Sequence, residues 1–540
     1  MTNVAGRSER AFVPLHSADL IEDVTVGDVL RRTAQEVPDA MALVEGLPPG
    51  QDRREWTYNQ LLTESERAAR AMLEHVDPGE AVALWANNVP EWILVQMGAA
   101  LAGVTLVTVN PALQRDEVDY VLRNSGAAAV FYVDDYRDTS LAGCLEELAP
   151  RLPALRTSIR LAEWEQFCAK GIDSTPLPAV GPDDVAQIQY TSGTTGLPKG
   201  ARLRHRGIVN NSRLACVDRL LVHDAALVSA MPLFHTAGSV LLTLGAIQTR
   251  CTQVLMPYFD PEVQLALIES ERSAVFGGVP TMLRALLDHP RFPRTDLSSV
   301  VVALSGGSQV EPQLVREVED RVGACMVIMY GQTECSPGIT MTHPDDPPEV
   351  RISTAGRTLP GVEMKIVDPT DNSRTVPVDD VGEICTRGYH VMIGYHDDPA
   401  RTADTIDADQ WLHTGDLGLL DSDGNLRIVG RLKDMVIRGG ENIYPTEIEA
   451  ALLDHEAVAT VAVTGVPDTY WGEEVAAFVQ LRPGAHATSE LLREYAAQRL
   501  AKHKVPRHWY FLDEFPLNAT GKIVKAELRN MALRDLAIRT

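Results

Sequence analysis

Cysteine is scarce and scattered: seven residues in 540, at positions 144, 168, 216, 251, 325, 335 and 385, with no Cys-x-x-Cys pair. This set excludes a disulfide framework or a cysteine-built zinc site as an organising feature, and the thiols read as buried or incidental. No apolar run approaches the roughly 18 residues that a transmembrane helix needs. The opening MTNVAGRSER lacks the apolar core of a signal peptide, so a cytoplasmic protein is the expectation. Positive charge is also in short supply, since 49 Lys and Arg against 74 Asp and Glu leave a net charge of −25. That balance argues against general binding to nucleic acid or to an anionic membrane. Also missing is Gly-x-x-x-x-Gly-Lys-Ser/Thr, the nucleotide loop of GTPases and many ATPases.

What is present is ordinary soluble composition, with 45% hydrophobic and 23% charged residues, over a length that calls for more than one domain. From residue 80 the chain reads strand (AVALWA), helix (PEWILVQMGAALAG), strand (VTLVTV), helix (RDEVDYVLRNSG) and strand (AAAVFYVD). Short apolar runs alternating with helical periods predict βαβ units and a buried parallel sheet. The pattern returns at 260–330, with helices from Pro261, Pro280 and Glu311 and strands at Val300–Leu304 and Cys325–Tyr330. Those two strands run into Ser305-Gly306-Gly307-Ser308 and Tyr330-Gly331-Gln332-Thr333-Glu334, at the carboxyl ends where open α/β sheets bind ligands. Asp421–Asn425 reads as a hairpin turn. The texture changes near 430, where helices are expected at Thr446–Leu453, Ser489–Lys502 and Lys525–Leu536. Strands are expected at Thr460–Thr464, Val475–Leu481 and Trp509–Leu512. The fold class expected is α/β: a large domain over 1–430 with βαβ-type sheets, and a small α+β domain over 431–540.

The densest chemical signal is Thr191-Ser192-Gly193-Thr194-Thr195-Gly196-Leu197-Pro198-Lys199-Gly200. Its glycines let backbone approach a ligand, and its amides, hydroxyls and ammonium suit a polyphosphate. Downstream come Tyr330-Gly-Gln-Thr-Glu334, Thr414-Gly415-Asp416, Gly430-Arg431 with Lys433-Asp434, and Pro516-Leu-Asn-Ala-Thr-Gly521-Lys522. In this order the series resembles the adenylate-forming superfamily of acyl-CoA synthetases, luciferases and peptide-synthetase adenylation domains. The resemblance runs over essentially the whole chain. Pro232-Leu-Phe-His235, Phe276-Gly-Gly-Val-Pro-Thr281 and Gly356-Arg-Thr-Leu-Pro-Gly361 look most like medium- and long-chain acyl-CoA ligases.

The resemblance implies an ATP-dependent acid–thiol ligase. A carboxylate attacks the α-phosphorus of MgATP, pyrophosphate leaves, and the thiol of coenzyme A then displaces AMP. Thr191, Ser192, Gly193, Thr194, Thr195, Gly196 and Lys199 would hold the β- and γ-phosphates. Thr333 would touch the α-phosphate and Glu334 would bind Mg²⁺, a hard cation suited to carboxylate oxygen. Gly307 would lie against adenine, with Tyr330, Gly331 and Gln332 beside the nucleotide. Asp416 would take the ribose hydroxyls, supported by Arg431. Lys522 would reach the α-phosphate and the attacking carboxylate. Lys433 would be the pivot of a mobile C-terminal domain that alternately presents Lys522 and the segment Arg438, Gly439, Gly440 and Glu441 for coenzyme A.

The acyl pocket is expected to draw on Phe234, His235, Thr236, Ala237, Phe276, Gly278, Val279, Gly306, Met329 and Cys335, with His235 as a lining or gate residue. Nothing acidic lies between Met231 and Gln248 to pair with a substrate ammonium, so an uncharged, largely apolar acid is expected. Other readings stay open at this stage: an acyl carrier protein as acceptor in trans, or a non-catalytic nucleotide-binding regulator, which the intact Glu334 and Lys522 oppose. The oligomeric state is open, a homodimer included. One departure from the family pattern is the basic run Arg202-Leu203-Arg204-His205-Arg206, read as surface decoration or as extra positive potential near the polyphosphate.

Overall fold

Five successive apolar residues, Ala81–Trp85, are all buried and form the centre of a sheet. The helix that follows, Pro90–Ala102, is apolar on every side and buried throughout. It starts on a proline, whose missing N–H costs nothing there, and stops at Gly103 in the left-handed conformation. The computed structural model describes residues 10–171, 175–191, 198–217, 219–517 and 523–539, with side chains described to 536. The chain divides into two compact units, one of residues 13–364 and 386–413, the other of residues 365–385 and 414–540 together with the first twelve.

In the larger unit the strands lie in the order Gly394–Tyr395, Lys199–Arg204, Val185–Thr191, Thr105–Val109, Ala81–Trp85, Ala129–Tyr132 and Thr157–Arg160. The last five are mutually parallel, as the βαβ reading predicts, and the first two are added antiparallel. A second sheet runs Val275–Gly277, Val302–Gly306, Cys325–Gly331, Gly338–Met341 and Arg357–Thr358, its first three strands parallel. A third holds Ala226–Ser229, Thr252–Leu255, Met41–Glu45 and Glu55–Thr57. Helices Pro261–Ser270 and Pro280–Asp288 begin at the expected residues and Pro312–Val322 one residue after the expected Glu311, which is its N-cap, each on a proline.

In the smaller unit, residues 365–368, 382–385, 414–420 and 426–431 run side by side. The expected hairpin forms because Asp421 Oδ1 accepts from the N–H groups of Asp423 and Asn425, both at 2.9 Å. A second sheet joins Val436–Arg438, Glu441–Ile443, Gly472–Leu481, Val458–Asp468 and His508–Phe511, with helices Pro445–Leu453, Ser489–Ala497 and Lys525–Arg539. The middle helix stops five residues before the expected Lys502. Leu500 and Val505 turn in against the core there, and Pro506 holds the residue before it extended.

The basic run 202–206 is structural rather than phosphate-directed at three of its positions. Arg204 lies 3.5 Å from Asp183, and Arg206 lies 2.9 Å from Asp183 and 3.1 Å from Asp23. His205 is fully enclosed, its Nδ1 accepting the Val26 N–H at 3.3 Å, and burial lowers its pKa to about 4. His390, also enclosed, is lowered by burial to about 3. Both values lie below the ordinary 6.5, so the unfolded chain binds more protons as the pH drops through 6.5 and stability falls with it. Between pH 7 and pH 5 each histidine is expected to contribute a loss of about 2 kcal/mol. Urea titrations at the two pH values test this. His205→Gln should be less pH-sensitive than the parent, and equal sensitivity would refute the assignment.

Candidate active site

The two ends of the phosphate-loop motif lie on paired antiparallel strands, with Tyr190 opposite Gly200 and Thr191 opposite Lys199. A Cβ on Gly200 would come within 2.8 Å of Ile188 and 3.0 Å of the Tyr190 ring, so the close strand pairing demands glycine. Ser192, Gly193, Thr194, Thr195 and Gly196 lie outside the described residues, while Thr191 and Lys199 end the two paired strands. The Lys199 ammonium stands 5.0 Å from the centre of the Tyr395 ring. The Tyr395 hydroxyl in turn donates to Glu334 Oε1 at 2.7 Å. Burial, and then the Glu334 carboxylate, push the phenol well above its ordinary pKa, so it stays protonated and remains a donor. The structure therefore brings together Lys199 and Glu334, 135 residues apart in the sequence, around a tyrosine that sequence reasoning missed. Tyr395 belongs to a two-residue strand, too short for any periodicity to mark it.

Glu334 is placed by its backbone. Strand Cys325–Gly331 ends in a single helical turn, Thr333–Cys335. A Cβ on Gly331 would lie 2.0 Å from the Pro337 carbonyl oxygen, which explains the glycine before Gln332. The Met392 N–H donates to the Glu334 carbonyl at 2.9 Å, and the Ser336 hydroxyl to that of His390 at 2.8 Å. Asn211 closes on Gly338 twice, donating to its carbonyl and accepting from its N–H, both at 2.8 Å. Thr333 is largely buried and Tyr330, Gln332 and Glu334 are half-buried. On the neighbouring strand Gly306 is pressed against the Met329 carbonyl, 2.5 Å from where a Cβ would stand. Gly307 is exposed and has a left-handed φ of +76°.

The segment expected to line the acyl pocket rests on buried amides. The Gln189 amide donates to the Phe234 carbonyl and accepts from Gln187 at 2.6 Å; the Ser239 hydroxyl donates to the His235 carbonyl at 3.2 Å. Gln96 donates to the Ser239 carbonyl at 3.0 Å. His235 Nδ1 accepts the Ala237 N–H at 3.1 Å, which fits a fixed lining group rather than a base at that nitrogen. Phe234, His235 and Ala237 are half-buried and Thr236 is enclosed. Residues 237–242 form a π-helical turn, a wide geometry frequent at functional sites. Gly278 is tied to Ser305, whose hydroxyl donates to its carbonyl at 2.9 Å, and Val279 leads helix Pro280–Asp288. Phe276 is placed differently from expectation: it is enclosed in the core, edge-on to Phe292 with ring centroids 6.2 Å apart. Met329 and Cys335 are also buried.

In the smaller unit Asp416 and Arg431 are cross-strand partners, with Arg431 Nε 3.2 Å from Asp416 Oδ1. The Thr414 hydroxyl accepts the Asp416 N–H at 3.1 Å and Glu383 accepts that of Gly415 at 3.1 Å, which orients the Asp416 carboxylate. Lys433 is exposed in a short turn after the strand that ends at Arg431. Arg438 and Glu441 face each other across a tight hairpin whose tip, Gly439 and Gly440, has φ of +60° and +86°. The Arg438 guanidinium is engaged by the enclosed Glu474 carboxylate at 2.7 Å and stacks over Trp471. Gly521 and Lys522 lie outside the described residues.

Glycine-rich loops and a carboxylate at the carboxyl ends of two sheets, with a separate Asp–Arg pair, define an enzyme of the adenylate-forming class. The chain belongs to the AMP-binding enzyme family, whose model matches residues 30–396, with the AMP-binding enzyme C-terminal domain matching 447–522. Human mitochondrial medium-chain acyl-CoA ligase ACSF2 is 34% identical, the alignment covering 95% of this chain and 88% of the relative. A Mycobacterium tuberculosis (strain ATCC 25618 / H37Rv) enzyme, 3-[(3aS,4S,7aS)-7a-methyl-1,5-dioxo-octahydro-1H-inden-4-yl]propanoyl:CoA ligase, is 36% identical over 95% of this chain and all of its own length. The crystal structure of ATP-bound MatB from Rhodopseudomonas palustris superposes with a TM-score of 0.85 at 28% identity, covering 94% of this chain and 99% of that one. The protein is an ATP-dependent acid–CoA ligase. Among the described residues no helix is long and apolar enough to cross a membrane.

Proposed function

We propose that this ligase activates an uncharged, largely apolar monocarboxylic acid as its acyl-adenylate and passes the acyl group to coenzyme A. The observation that carries the reading is the convergence of Lys199, Tyr395 and Glu334 beside the paired strands that flank the phosphate loop. Lys199 and the loop hold the departing pyrophosphate. Thr333 contacts the α-phosphate, and Asp416 with Arg431 holds the ribose. Glu334 fits Mg²⁺ by donor chemistry: it is a half-buried carboxylate with one oxygen fixed by Tyr395. Bound there, the ion would offset charge on the phosphates. Lys522 stabilises the α-phosphorus and the attacking carboxylate as a C–O–P bond forms and pyrophosphate leaves. The C-terminal segment 431–540, part of the smaller unit, then pivots at Lys433, and the thiol sulfur attacks the acyl carbon with AMP leaving. The glycines at 439 and 440 let the thiol arm pass close to backbone.

The acid class rests on the absence of acidic residues from 231–248 and on relatives named for a medium-chain acid and for a bicyclic propanoyl acid. No disulfide joins any of the seven cysteines, which supports a reducing compartment such as the cytoplasm. Pyrophosphate release with a panel of acids tests the reading. Medium-chain, aryl-alkyl and bicyclic monocarboxylates are expected to be turned over. Amino and dicarboxylic acids should have kcat/KM at least ~100-fold lower, because an unpaired charge entering an apolar pocket costs several kcal/mol. A preference for charged acids would refute it. Adding coenzyme A should yield thioester; thioester only with an acyl carrier protein would move the acceptor to that partner.

A further inference from the structure

Lys199 and Glu334 point at the same tyrosine and form no ion pair with each other. Such a pair is the obvious competing arrangement for an ammonium at the start of strand Lys199–Arg204 and a half-buried carboxylate in the turn Thr333–Cys335, and it would withdraw both groups from a ligand. Tyr395 stands between them. Its ring seats the ammonium at 5.0 Å from the centroid and its hydroxyl holds Glu334 Oε1 at 2.7 Å. An aromatic face is a weaker, non-directional partner for an ammonium than a carboxylate is, so the cation is kept in place yet remains available.

The tyrosine is held in this position from several directions. Its strand pairs Tyr395 with Ala201 and Gly394 with Arg202, directly beyond the phosphate loop. The Tyr395 N–H donates to the Thr402 hydroxyl at 2.9 Å, and the next N–H, of His396, donates to the Gly200 carbonyl at 2.7 Å. Gly394 has φ +148°, and a Cβ there would strike Thr402 at 2.7 Å, so the approach that brings the ring into the site requires glycine.

We propose that Tyr395 is a positioning residue that keeps Lys199 and Glu334 apart, leaving the ammonium for polyphosphate and the second carboxylate oxygen for a divalent cation. The proposal rests on the reading of Lys199 and Glu334 given above. Calorimetric titration of the full-length protein with ATP, in EDTA and in Mg²⁺, tests it. Y395F keeps the ring and loses the hydroxyl. Its affinity for metal-free ATP should stay within twofold, while the gain in affinity on adding Mg²⁺ should shrink roughly tenfold, the usual scale for one hydrogen bond to a charged group. Y395L removes both contacts and lets Lys199 settle on Glu334, so metal-free ATP should bind about tenfold more weakly. Adding E334Q to Y395L should restore that affinity, a rescue that a purely structural defect would not show.

Equal weakening of both titrations in Y395F, or no rescue in the double variant, would overturn the proposal. E334Q alone separates the two levels. If it leaves the Mg²⁺ gain intact, the magnesium assignment fails and the role of Tyr395 falls with it. If it removes the gain while Y395F retains it, the role of Tyr395 alone fails.

Discussion

Lys522→Ala should lower acyl-adenylate formation about a thousandfold and leave thioester formation from supplied acyl-adenylate within a few-fold of the parent. The asymmetry follows from where charge develops. In the first half-reaction an anionic carboxylate meets an α-phosphorus already surrounded by phosphate oxygens, and pyrophosphate departs with more charge still. A single ammonium at that point is worth more in the transition state than in the ground state, and removal of one such group typically costs a factor of 10² to 10³ or more. In the second half-reaction the electrophile is a mixed anhydride with AMP as a good leaving group, and the thiol brings its own nucleophile, so the lysine has little to offset. Lys525, three residues on, is the control. Its ammonium is committed to Glu449 at 2.7 Å, so Lys525→Ala should leave both half-reactions within a few-fold. Pyrophosphate release and coenzyme A thioester formation measured separately give the answer. Equal loss of both in Lys522→Ala would remove the lysine from the chemistry of the first step.

Most of the scaffold that carries this chemistry can be read from the chain, because its strands are short apolar runs between helices begun by proline. Ala81–Trp85, Thr105–Val109 and Cys325–Gly331 fall within a residue or two of where alternation places them. The backbone placement of Glu334 and Asp416 is equally legible, since each sits in a motif whose glycine has a steric or conformational reason: Gly331 against Pro337, and Gly415 with φ +70°. What the sequence hides is anything decided by two distant segments meeting. Tyr395 becomes important only because its two-residue strand adds to the edge formed by Lys199–Arg204. The basic residues of 204–206 look available for phosphate until the fold pairs the arginines with Asp183 and Asp23 and encloses the histidine. Phe276 looks like a pocket wall from its glycine-rich neighbours, yet its ring turns into the core against Phe292. Local pattern predicts the element; the direction a side chain takes at an element's end depends on what packs beside it.

Gly331→Ala should reduce pyrophosphate release at least ~100-fold with only a moderate loss of stability. The methyl group would stand 2.0 Å from the Pro337 carbonyl oxygen and 3.0 Å from the Gly338 Cα, all backbone atoms that cannot rotate away. Relief has to come from moving either the end of strand Cys325–Gly331 or the 337–338 segment. The second is pinned by Asn211, which bonds Gly338 on both sides at 2.8 Å. The displacement is therefore driven into Gln332, Thr333 and Glu334, between the strand and the Met392 N–H that holds the Glu334 carbonyl at 2.9 Å. A shift near 1 Å in groups that align a phosphoryl transfer costs on the order of 10²-fold, even where the fold survives. Gly323→Ala provides the contrast. It has a left-handed φ of +79° but nothing near its added methyl, so it should cost about 1 kcal/mol of stability and no activity. Kinetics and thermal unfolding of the two variants side by side separate the effects. Near-parental activity in Gly331→Ala would mean that the Thr333–Glu334 turn does not depend on its contact with Pro337.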